Sequence, residues 1–564
     1  MGGSSPANVA LAASVVLGPV NRPRFGPLPS PSRLFSTYPV SLVSRRPTMP
    51  ATAQVNAAAL ERSIRTIAHP RERARGRPEH VSHEFDTFGT MSIESATPII
   101  YRMICMSALL LSLSVDGATQ GLTVHDPGVR GGNAGAGGAL PGISSPYNNL
   151  FVAGLAKFSQ EDQVVQDGLG PRMNLNSCAG CHGAPATGGS SPKLNPQFTL
   201  VNGADHGNNT LPSFITRDGP TREARFKKTS PGNMTDGGVH DLFTISGMKG
   251  AEGCVLQQPD FAAELARKNV IFRIPTPVFG AGLIEQIPDR AIIDNLNRAA
   301  DQAEKRRMHV RGRVNVVVSG NTRTEQIRTQ GEPNRNGNDG TIARFGWKAQ
   351  NKSLLLFAAE AYNVEMGISN ELFQTEREES ATCQFRPTPN DFTDPTKVGT
   401  YDLLSDIEKF AAFMRLLAPP QSSESEPGGP ESIANGKNTF NKTGCALCHS
   451  ETLMTGNSAI PQLSNQTAHL FSDLALHQMG PNLDDGISQG QANSSEFRTA
   501  PLWGLGQRLF FLHDGRTNDL VVAIQEHRGG KGPKSASEAN DVVGRFDRLS
   551  NKDKQDLLNF LRSL

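Results

Sequence analysis

The sequence has few aromatic residues and almost no net charge. Of its 564 residues 6% are aromatic, and 56 lysines and arginines are nearly balanced by 54 aspartates and glutamates. Such a balance creates no global field that would attract nucleic acid or an acidic membrane surface, so neither partner is expected. With 56 glycines and so few aromatic side chains, the chain should be loop-rich with small cores. Its length predicts two or more domains.

Cysteine is also scarce, but four of the seven cysteines follow one pattern. Residues 178–182 read Cys-Ala-Gly-Cys-His and residues 445–449 read Cys-Ala-Leu-Cys-His. In this pattern two thiols on one helical turn bond to the haem vinyl groups, and the following histidine coordinates the iron. A structural zinc site would instead require both motifs to converge on one ion. The sequence therefore predicts two covalently bound haems c, attached and ligated by Cys178, Cys181 and His182 in the first motif and Cys445, Cys448 and His449 in the second.

Long apolar runs are missing as well. The stretch 102–115 has a basic residue followed by about 13 apolar-rich residues, which is short for a membrane span and typical of a secretory signal. We expect residues 91–121 to be a signal peptide region, the mature protein to be periplasmic or otherwise exported, and no stable membrane span to remain. Residues 1–90 are predicted to be disordered or a wrongly assigned extension, with translation starting at Met91 or Met103; an organelle transit peptide is the alternative.

Three cysteines lie outside the haem motifs. Cleavage near residues 117–121 would remove Cys105, which leaves Cys254 and Cys383. In the oxidising compartment where haem c is attached, a disulfide between these two is reasonable. Two separate thiols are the alternative.

Helical patterns flank both haem motifs. Apolar residues at helical spacing predict a helix over 149–158, Pro430 suits the first turn of a second helix, and Ser550 begins a capping box before a leucine-rich C-terminal helix. The predicted fold class is mainly α, with two cytochrome c-like haem domains and loop-rich insertions. The predicted boundaries are 145–305 for the first domain, 306–425 for an insertion or connecting region that packs on the haem domains, and 426–564 for the second domain.

Two further features concern the organisation of the chain. The segment 272–282 parallels 497–506, and each follows its haem motif, which suggests a duplicated one-haem unit. A shared Pro/Gly turn signature is the alternative explanation. Between the halves, residues 306–345 are basic and partly β-branched and could form a small β-hairpin.

Several segments resemble one known group of proteins. Residues 497–506, 513–516, 523–527 and the terminal helix are similar to the C-terminal half of bacterial di-haem cytochrome c peroxidases. The resemblance is closest to their divergent relatives, the di-haem oxidoreductase family of thiol oxidoreductases and peroxidases. Further segments similar to that family are 236–245, 277–288, 344–348 and 472–480. The resemblance covers roughly residues 145–564.

This resemblance implies two helical domains that face each other, one haem accepting electrons and the other meeting the oxidant. In the peroxidases a methionine after the His-Asp-Gly motif binds the C-terminal iron, and the aligned residue here is His527. A second imidazole is also a good axial ligand, though it lowers the reduction potential relative to methionine. We therefore expect His527 to ligate the second haem; an exposed helix-terminal histidine is the alternative. The resemblance also implies Ca²⁺ between the domains.

The oxidant should react at the first haem. Peroxide cleavage needs an open iron position and a group that moves a proton between the two peroxide oxygens, for which the peroxidases use a glutamate. Glu285 is the expected catalytic carboxylate because it lies inside an apolar stretch after the repeated motif. His240 and His206 are alternative candidates to Glu285, either as the acid/base group or as a sixth ligand of the iron, although a histidine without such a role is the default.

Three aromatic residues complete the expected haem surroundings. His513 is expected to hold its loop or a haem propionate rather than the iron. Trp347 and Trp503 are the only tryptophans, and core packing near the haems is the expected role of each. A tryptophan lying between the haems could instead relay electrons.

The expected function is that of a periplasmic di-haem c-type oxidoreductase that reduces hydrogen peroxide with electrons from a small cytochrome or copper protein. The chain could form a homodimer. A non-enzymatic electron-transfer cytochrome is one alternative, and an oxygenase or thiol-oxidising enzyme on the same scaffold is another. The thiol activity finds no support, since no redox Cys-x-x-Cys pair is left outside the haem motifs.

Overall fold

Short α-helices joined by long loops carry most of the regular structure. The computed structural model describes residues 123–229, 241–316, 342–375, 380–532 and 535–564, all within one unit spanning 110–564. The predicted extension 1–90, the signal peptide region 91–121 and His240 lie outside these residues. The helices are α1 Ser145–Phe158, α2 Cys178–Cys181, α3 Pro196–Val201, α4 Phe261–Ala266, α5 Ala281–Glu285, α6 Asp289–Leu296, α7 Ala299–Arg307, α8 Leu354–Met366, α9 Asp406–Leu416, α10 Gly429–Thr443, α11 Leu520–Glu526, α12 Asn540–Asp547 and α13 Asn551–Ser563.

The β-structure of the described residues consists of five two-stranded antiparallel sheets. The mainly α class is therefore confirmed. None of the helices in the described ranges is long and apolar enough to cross a membrane. The strand pairs are β1 Arg172–Met173 with β3 Phe243–Thr244, β2 Glu223–Phe226 with β4 Val270–Arg273, β5 Asn315–Val316 with β6 Ile342–Ala343, β7 Leu453–Met454 with β8 Thr467–Ala468, and β9 Leu476–Gln478 with β10 Glu496–Arg498.

The segment expected to form a β-hairpin is paired at its two ends. Strands β5 and β6 are antiparallel, with Asn315 opposite Ala343 and Val316 opposite Ile342. The residues between these strands, 317–341, lie outside the described part of the chain. The pairing thus agrees with the hairpin prediction as far as the described residues extend.

One helix crossing occurs twice in the molecule. Helix α1 packs on α9 at Gly154, where an added Cβ would lie 2.5 Å from the Lys409 carbonyl oxygen and 2.9 Å from the Phe413 Cβ. Helix α10 packs on α13 at Gly436 in the same way. There an added Cβ would lie 2.0 Å from the Asp556 carbonyl oxygen and 2.6 Å from the Phe560 Cβ. Both crossings are therefore so close that only glycine fits.

The repeated segments 272–282 and 497–506 contact equivalent helices of the two crossings, α9 and α13 respectively. Gly280 and Gly504 both have positive φ, of 64° and 75°. A Cβ on Gly282 would lie 2.0 Å from the carbonyl oxygen of Arg415 at the end of α9, and one on Gly506 would lie 2.2 Å from that of Arg562 in α13. Since the repeated sequence occupies repeated positions, the structure supports a duplicated unit over a shared turn signature.

Two of the three cysteines outside the haem motifs are joined, and the third, Cys105, lies outside the described residues. Cys254 and Cys383 form a disulfide that closes a sequence separation of 129 residues, and both side chains are buried. The predicted pairing is confirmed. The disulfide connects the loop before α4 with a short turn, Ala381–Cys383, in the segment between α8 and α9.

Candidate functional site

The first haem motif lies in the wall of a cavity. Cys178 and Cys181 are on α2, and the His182 amide donates to the Cys178 carbonyl at 2.9 Å, so the motif makes one helical turn. Residues of β2, β4, α8 and α9 complete the wall. Helices α8 and α9 belong to the segment 306–425, which was expected to pack on the haem domains. In the structure this segment supplies a large part of the first cavity.

The second haem motif lines a separate cavity. The His449 amide donates to the Cys445 carbonyl at 2.9 Å, which reproduces the turn of the first motif. This wall is more apolar and is built from α10, α11, α12 and α13 together with residues 497–513. His527, which directly follows α11, is part of it.

The three histidines expected to bind iron are held in the same way. The Nδ1 atoms of His182, His449 and His527 lie 3.0, 3.0 and 2.7 Å from the carbonyl oxygens of Gly189, Phe471 and Ala523 respectively. A carbonyl only accepts, so Nδ1 carries the hydrogen. Burial lowers the pKa of His182 and His449 to about 4 and also lowers that of His527. Each ring is therefore neutral with Nε2 unprotonated, the form that ligates a metal, and its orientation is fixed by the second hydrogen bond.

The duplication extends to the helices α8 and α11. Each helix follows an isolated antiparallel bridge between residues six positions apart, Phe345 with Asn351 and Phe511 with Thr517. Two residues after each bridge, a side chain caps the helix, Ser353 for α8 and Asp519 for α11. The two helices are thus equivalent elements of the two halves.

Because α8 and α11 are equivalent, the residues that they contribute to the two cavities can be compared position by position. His527 stands eight residues after the capping Asp519, and the residue eight positions after the capping Ser353 is Ala361. Ala361 lines the first cavity as His527 lines the second. An alanine methyl group cannot bind a metal. At this pair of equivalent positions the second cavity therefore has the imidazole of His527, in addition to His449, where the first cavity has a methyl group in addition to His182.

Trp347 lies between the cavities and lines both of them. Its indole Nε1 donates to the Ile274 carbonyl at 3.0 Å, and its ring meets that of His513 edge to face with centroids 6.4 Å apart. Trp347 lies seven residues before the first residue of α8, and His513 lies seven residues before the first residue of α11. Trp503 instead packs against Gly280 and lines neither haem-motif cavity. Only one of the two tryptophans of the chain is thus placed between the cavities.

Two arginines, Arg498 buried and Arg508 partly buried, line the second cavity without a carboxylate partner in the described part of the chain. Arg498 donates to the carbonyls of Gly346 and Thr499, and burial lowers its pKa to about 10. Arg508 also has its pKa lowered by burial to about 10, and its Nε has no hydrogen-bond partner among the described residues. A buried guanidinium with an unused donor calls for an anion. Haem propionates are such anions, so these residues fit the cofactor that the motifs predict.

Glu285 is not brought to either cavity. It is fully buried at the end of α5, accepts two hydrogen bonds from Arg415 at 2.6 and 3.1 Å, and accepts a third from the Leu354 amide at 2.8 Å. It therefore neutralises a cation and caps α8 instead of facing His182. The apolar surroundings correctly indicated burial, but the partner that explains it is 130 residues away in the sequence.

The carboxylates that do line the first cavity are Glu223, Glu360 and Glu365. Glu360 accepts a hydrogen bond from the Asn351 amide group. Burial, together with the charges of Glu223 and Glu360, raises the pKa of Glu365 to about 8. Glu365 therefore holds a proton at neutral pH.

The described part of the structure places neither of the alternative candidates, His240 and His206, at the first cavity. His240 lies outside the described part of the chain. His206 does not line either haem-motif cavity, and its buried Nδ1 has no hydrogen-bond partner among the described residues.

Sequence reasoning missed His477, a buried histidine in the wall of the second cavity. Its Nδ1 lies 2.8 Å from Glu538 and its Nε2 lies 3.0 Å from Asp473, while the Cys448 sulfur is 3.6 Å from Nδ1. Burial opposes the charged ring, but Cys448 and Asp473 raise the pKa of His477 well above 6.5, and the ring in turn lowers the pKa of Glu538. The only sequence signal was its place in the segment 472–480, which is one of those that carry the family resemblance.

A cation site close to Trp347 is filled by a side chain. The buried Lys348 ammonium donates to the carbonyls of Asn493, Ser494 and Glu496 at 2.9–3.0 Å and lies 3.2 Å from Asp485. Such an oxygen set resembles a calcium site. Within the described residues, no group of three or more His, Cys, Asp or Glu could hold a metal ion. The Ca²⁺ implied by the resemblance stays a prediction.

Two cavities, each with a cysteine pair and a neutral histidine in its wall, define a protein built to hold two metal-porphyrin groups. The chain belongs to the di-haem oxidoreductases, because residues 239–564 match the family model described as "Di-haem oxidoreductase, putative peroxidase". The match begins after the first haem motif.

No curated protein matches. Among solved structures, the chain is similar to a MauG-like protein associated with microbial copper homeostasis, with 21% identity and a TM-score of 0.19. That alignment covers 28% of this chain and 52% of the other, so the chain spans about half the length of that structure.

Proposed function

We propose that the protein is a c-type di-haem oxidoreductase that reduces hydrogen peroxide. In this proposal Cys178 and Cys181 hold one haem through thioether bonds, and the cysteines of the second motif hold the other. His182 and His449 are the proximal ligands. The fixed neutral rings, and the unpartnered Arg508 Nε in the second cavity, support this assignment.

The two haems have different roles. His449 and His527 would together hold the second iron, and an iron held by two imidazoles would exchange electrons without binding oxidant. Ala361 stands in the equivalent place of the first cavity, where its methyl group would supply no ligand to an iron held by His182. This contrast between Ala361 and His527 is the observation that carries the proposal. A haem with an open iron position supplies the chemistry that binds and cleaves peroxide.

The proton needed for peroxide cleavage is assigned to Glu365 in place of Glu285. Glu365 lines the first cavity and holds a proton at neutral pH, since its pKa is raised to about 8 by burial and by two neighbouring glutamates. A general acid with a pKa near the operating pH is the efficient choice. Glu285 is already committed to Arg415 and the first turn of α8.

Electrons should enter at the second haem and pass by way of Trp347, whose ring is part of both cavity walls. The donor in this proposal is a small cytochrome or copper protein, and the protein acts after export from the cytoplasm. The buried Cys254–Cys383 disulfide supports export, because such bonds persist in oxidising compartments.

Steady-state peroxide reduction by the haem-loaded protein, with a reduced small cytochrome as donor, tests this function. Wild type should turn over peroxide. Ala361→His should abolish turnover by closing the first iron, and Glu365→Gln should lower it by about 10²-fold or more, the usual contribution of a general acid. Glu371→Gln, on the loop after α8, is the matched control. Turnover that survives in Ala361→His would contradict the proposal, and two closed haems without turnover would favour an electron carrier.

A further inference from the structure

Tyr362 is a buried phenol in the wall of the first cavity. It lies on α8 and is 2% exposed. Its hydroxyl donates to Asp162 Oδ2 at 2.9 Å and lies 3.4 Å from Asp406 Oδ2. The ring thus borders the cofactor cavity while the hydroxyl reaches carboxylates on the side away from it. Within the described part of the chain, no tyrosine lines the second cavity.

The carboxylates around the phenol outnumber the cations. The Lys157 ammonium lies 2.8 Å from Asp162, 2.9 Å from Asp406 and 3.6 Å from Asp167. Asp391 adds a further negative charge that acts on Tyr362. Lys409 lies 3.0 Å from the other oxygen of Asp406. Two lysines therefore serve four carboxylates, so that one carboxylate can take up a proton without leaving the group strongly positive.

The protonation states suit a transfer from the phenol to Asp162. Burial and the surrounding carboxylates raise the pKa of Tyr362 well above 10, so it is a neutral phenol at rest. Burial raises the pKa of Asp162 to about 6, against the pull of Lys157, so at neutral pH it is mostly a carboxylate with raised basicity. Loss of an electron from such a phenol requires loss of its proton, and the hydrogen bond to Asp162 provides the acceptor.

Aromatic rings connect Tyr362 with the first haem motif. The Phe410 ring meets Tyr362 edge to face at 5.0 Å between centroids. Phe158 contacts Phe410 at 6.1 Å and the His182 imidazole at 5.9 Å. Tyr362 therefore lies close to the side of the cavity that carries the proximal ligand.

We propose that Tyr362 is a redox-active residue that gives one electron to the peroxide-oxidised haem of the first cavity and passes its phenolic proton to Asp162. The ring is left as a neutral tyrosyl radical, the haem is reduced by one electron, and Asp162 becomes a carboxylic acid beside Lys157. The oxidant is hydrogen peroxide acting through the haem, so this inference rests on the proposed function. It adds a second oxidising site, separated from the iron.

Electron paramagnetic resonance of the haem-loaded protein, frozen after peroxide is added, tests this assignment. Wild type should show an organic radical whose hyperfine pattern changes when ring-deuterated tyrosine is incorporated, and whose formation slows in D₂O. Tyr362→Phe, which leaves the pair between Asp162 and Lys157 in place, should abolish the signal. Tyr401→Phe is the control, because its hydroxyl donates to the Pro146 carbonyl away from this cluster. Haem content and circular dichroism establish that each variant is folded.

The outcomes separate the two proposals. If peroxide changes the spectrum of one haem but no tyrosyl signal forms, or if the signal persists in Tyr362→Phe, the role of Tyr362 is wrong and the peroxidase proposal stands. If peroxide changes neither haem spectrum, the proposed function is wrong, and the Tyr362 step, which rests on it, falls as well. Loss of the radical in Tyr362→Phe, with peroxide still reacting at the haem, is the result expected.

Discussion

At the scale of single residues, the second hydrogen bond of each histidine decides what its ring can do. His182, His449 and His527 donate through Nδ1 to backbone carbonyls and so present a free Nε2. His477 has carboxylates at both nitrogens and so holds both protons. Neighbouring histidines in one cavity wall are thereby divided into candidate ligands and a buried cation.

The axial role of His527 predicts a change in reduction potential. A thioether ligand favours reduced iron more than an imidazole does, so His527→Met should raise the potential of one haem and leave the other unchanged. Potentiometric titration followed in the visible spectrum measures both values. His469→Met, at an exposed position outside both cavities, is the control. Two unchanged potentials in His527→Met would remove His527 from the iron.

The charged His477 predicts a dependence of stability on pH. Because its folded pKa is raised above 6.5, its contribution is complete below about pH 6.5 and is lost as the pH rises through the higher folded value. Asp473 and Glu538 have lowered pKa values, so the stability that these carboxylates contribute is lost in acid, as the pH falls below their unfolded pKa values of about 4.

Urea unfolding between pH 5 and pH 9 checks this. The wild-type free energy of unfolding should fall towards alkaline pH more steeply than that of His477→Gln. His469→Gln, in which an exposed ring is replaced, should follow the wild type. Parallel pH profiles for wild type and His477→Gln would show that the ring is neutral in the fold.

Residue-scale features were predictable to different degrees. Covalent attachment constrains sequence spacing, so the Cys-x-x-Cys-His motifs were visible directly. Glu285 showed its burial through apolar neighbours, but the chain gives no local sign of Arg415. His477 and Tyr362 owe their environments to residues 61 and 200 positions away, Glu538 and Asp162, and no local pattern encodes such contacts.

At the scale of elements, the repeated helix crossing is the main structural device. A glycine in α1 or α10 lets the backbone of α9 or α13 approach, and a phenylalanine four residues later, Phe158 or Phe440, contacts the proximal histidine of its cavity. The close approach therefore sets the position of the histidine's aromatic neighbour. The crossing links packing directly to the geometry of the site.

The crossings predict a strong response to a single methyl group. Gly436→Ala should destabilise the protein by about 1–3 kcal/mol or more, because the Cβ would lie 2.0 Å from the Asp556 carbonyl oxygen. Gly544→Ala, in α12, is the matched control. Its nearest atom would be 3.7 Å away, so helix propensity should stabilise it by about 0.5–1 kcal/mol. Thermal unfolding of the two variants compares them; equal effects would show that the crossing is not tight.

The loop held by Lys348 predicts a second local effect. Lys348→Met removes the donor of three buried carbonyls and one partner of Asp485, which should cost about 3–5 kcal/mol. Lys437→Met, which breaks a half-exposed pair with Glu451, should cost about 0–1 kcal/mol. Urea unfolding measures both. A loss in Lys348→Met as small as that of the control would mean that the ammonium is not needed there.

Helix ends were the most predictable elements. Pro430 in the first turn of α10 and the Ser550 cap of α13 are local signals, and both helices were found where those signals placed them. Helices α8 and α9 were not assigned to the first haem unit, because their equivalence to α11 and α13 appears only through bridges, caps and close glycines. Those features are tertiary and leave weak traces in the sequence.

At the scale of the whole molecule, duplication explains how two cavities of one design can differ in chemistry. The two halves share the motif turn, the glycine crossing and the capped helix beside the cavity. They differ at one decisive position, where one half has His527 and the other Ala361. Divergence at a single side chain would separate electron entry from reaction with the oxidant.

The central claim is tested most directly by electron paramagnetic resonance of the oxidised, haem-loaded protein. Wild type should show one high-spin and one low-spin ferric haem in equal amounts. His527→Ala should convert the low-spin signal to high-spin, and Ala361→His should convert the high-spin signal to low-spin. Two low-spin haems in the wild type, or spectra that neither substitution alters, would contradict the account.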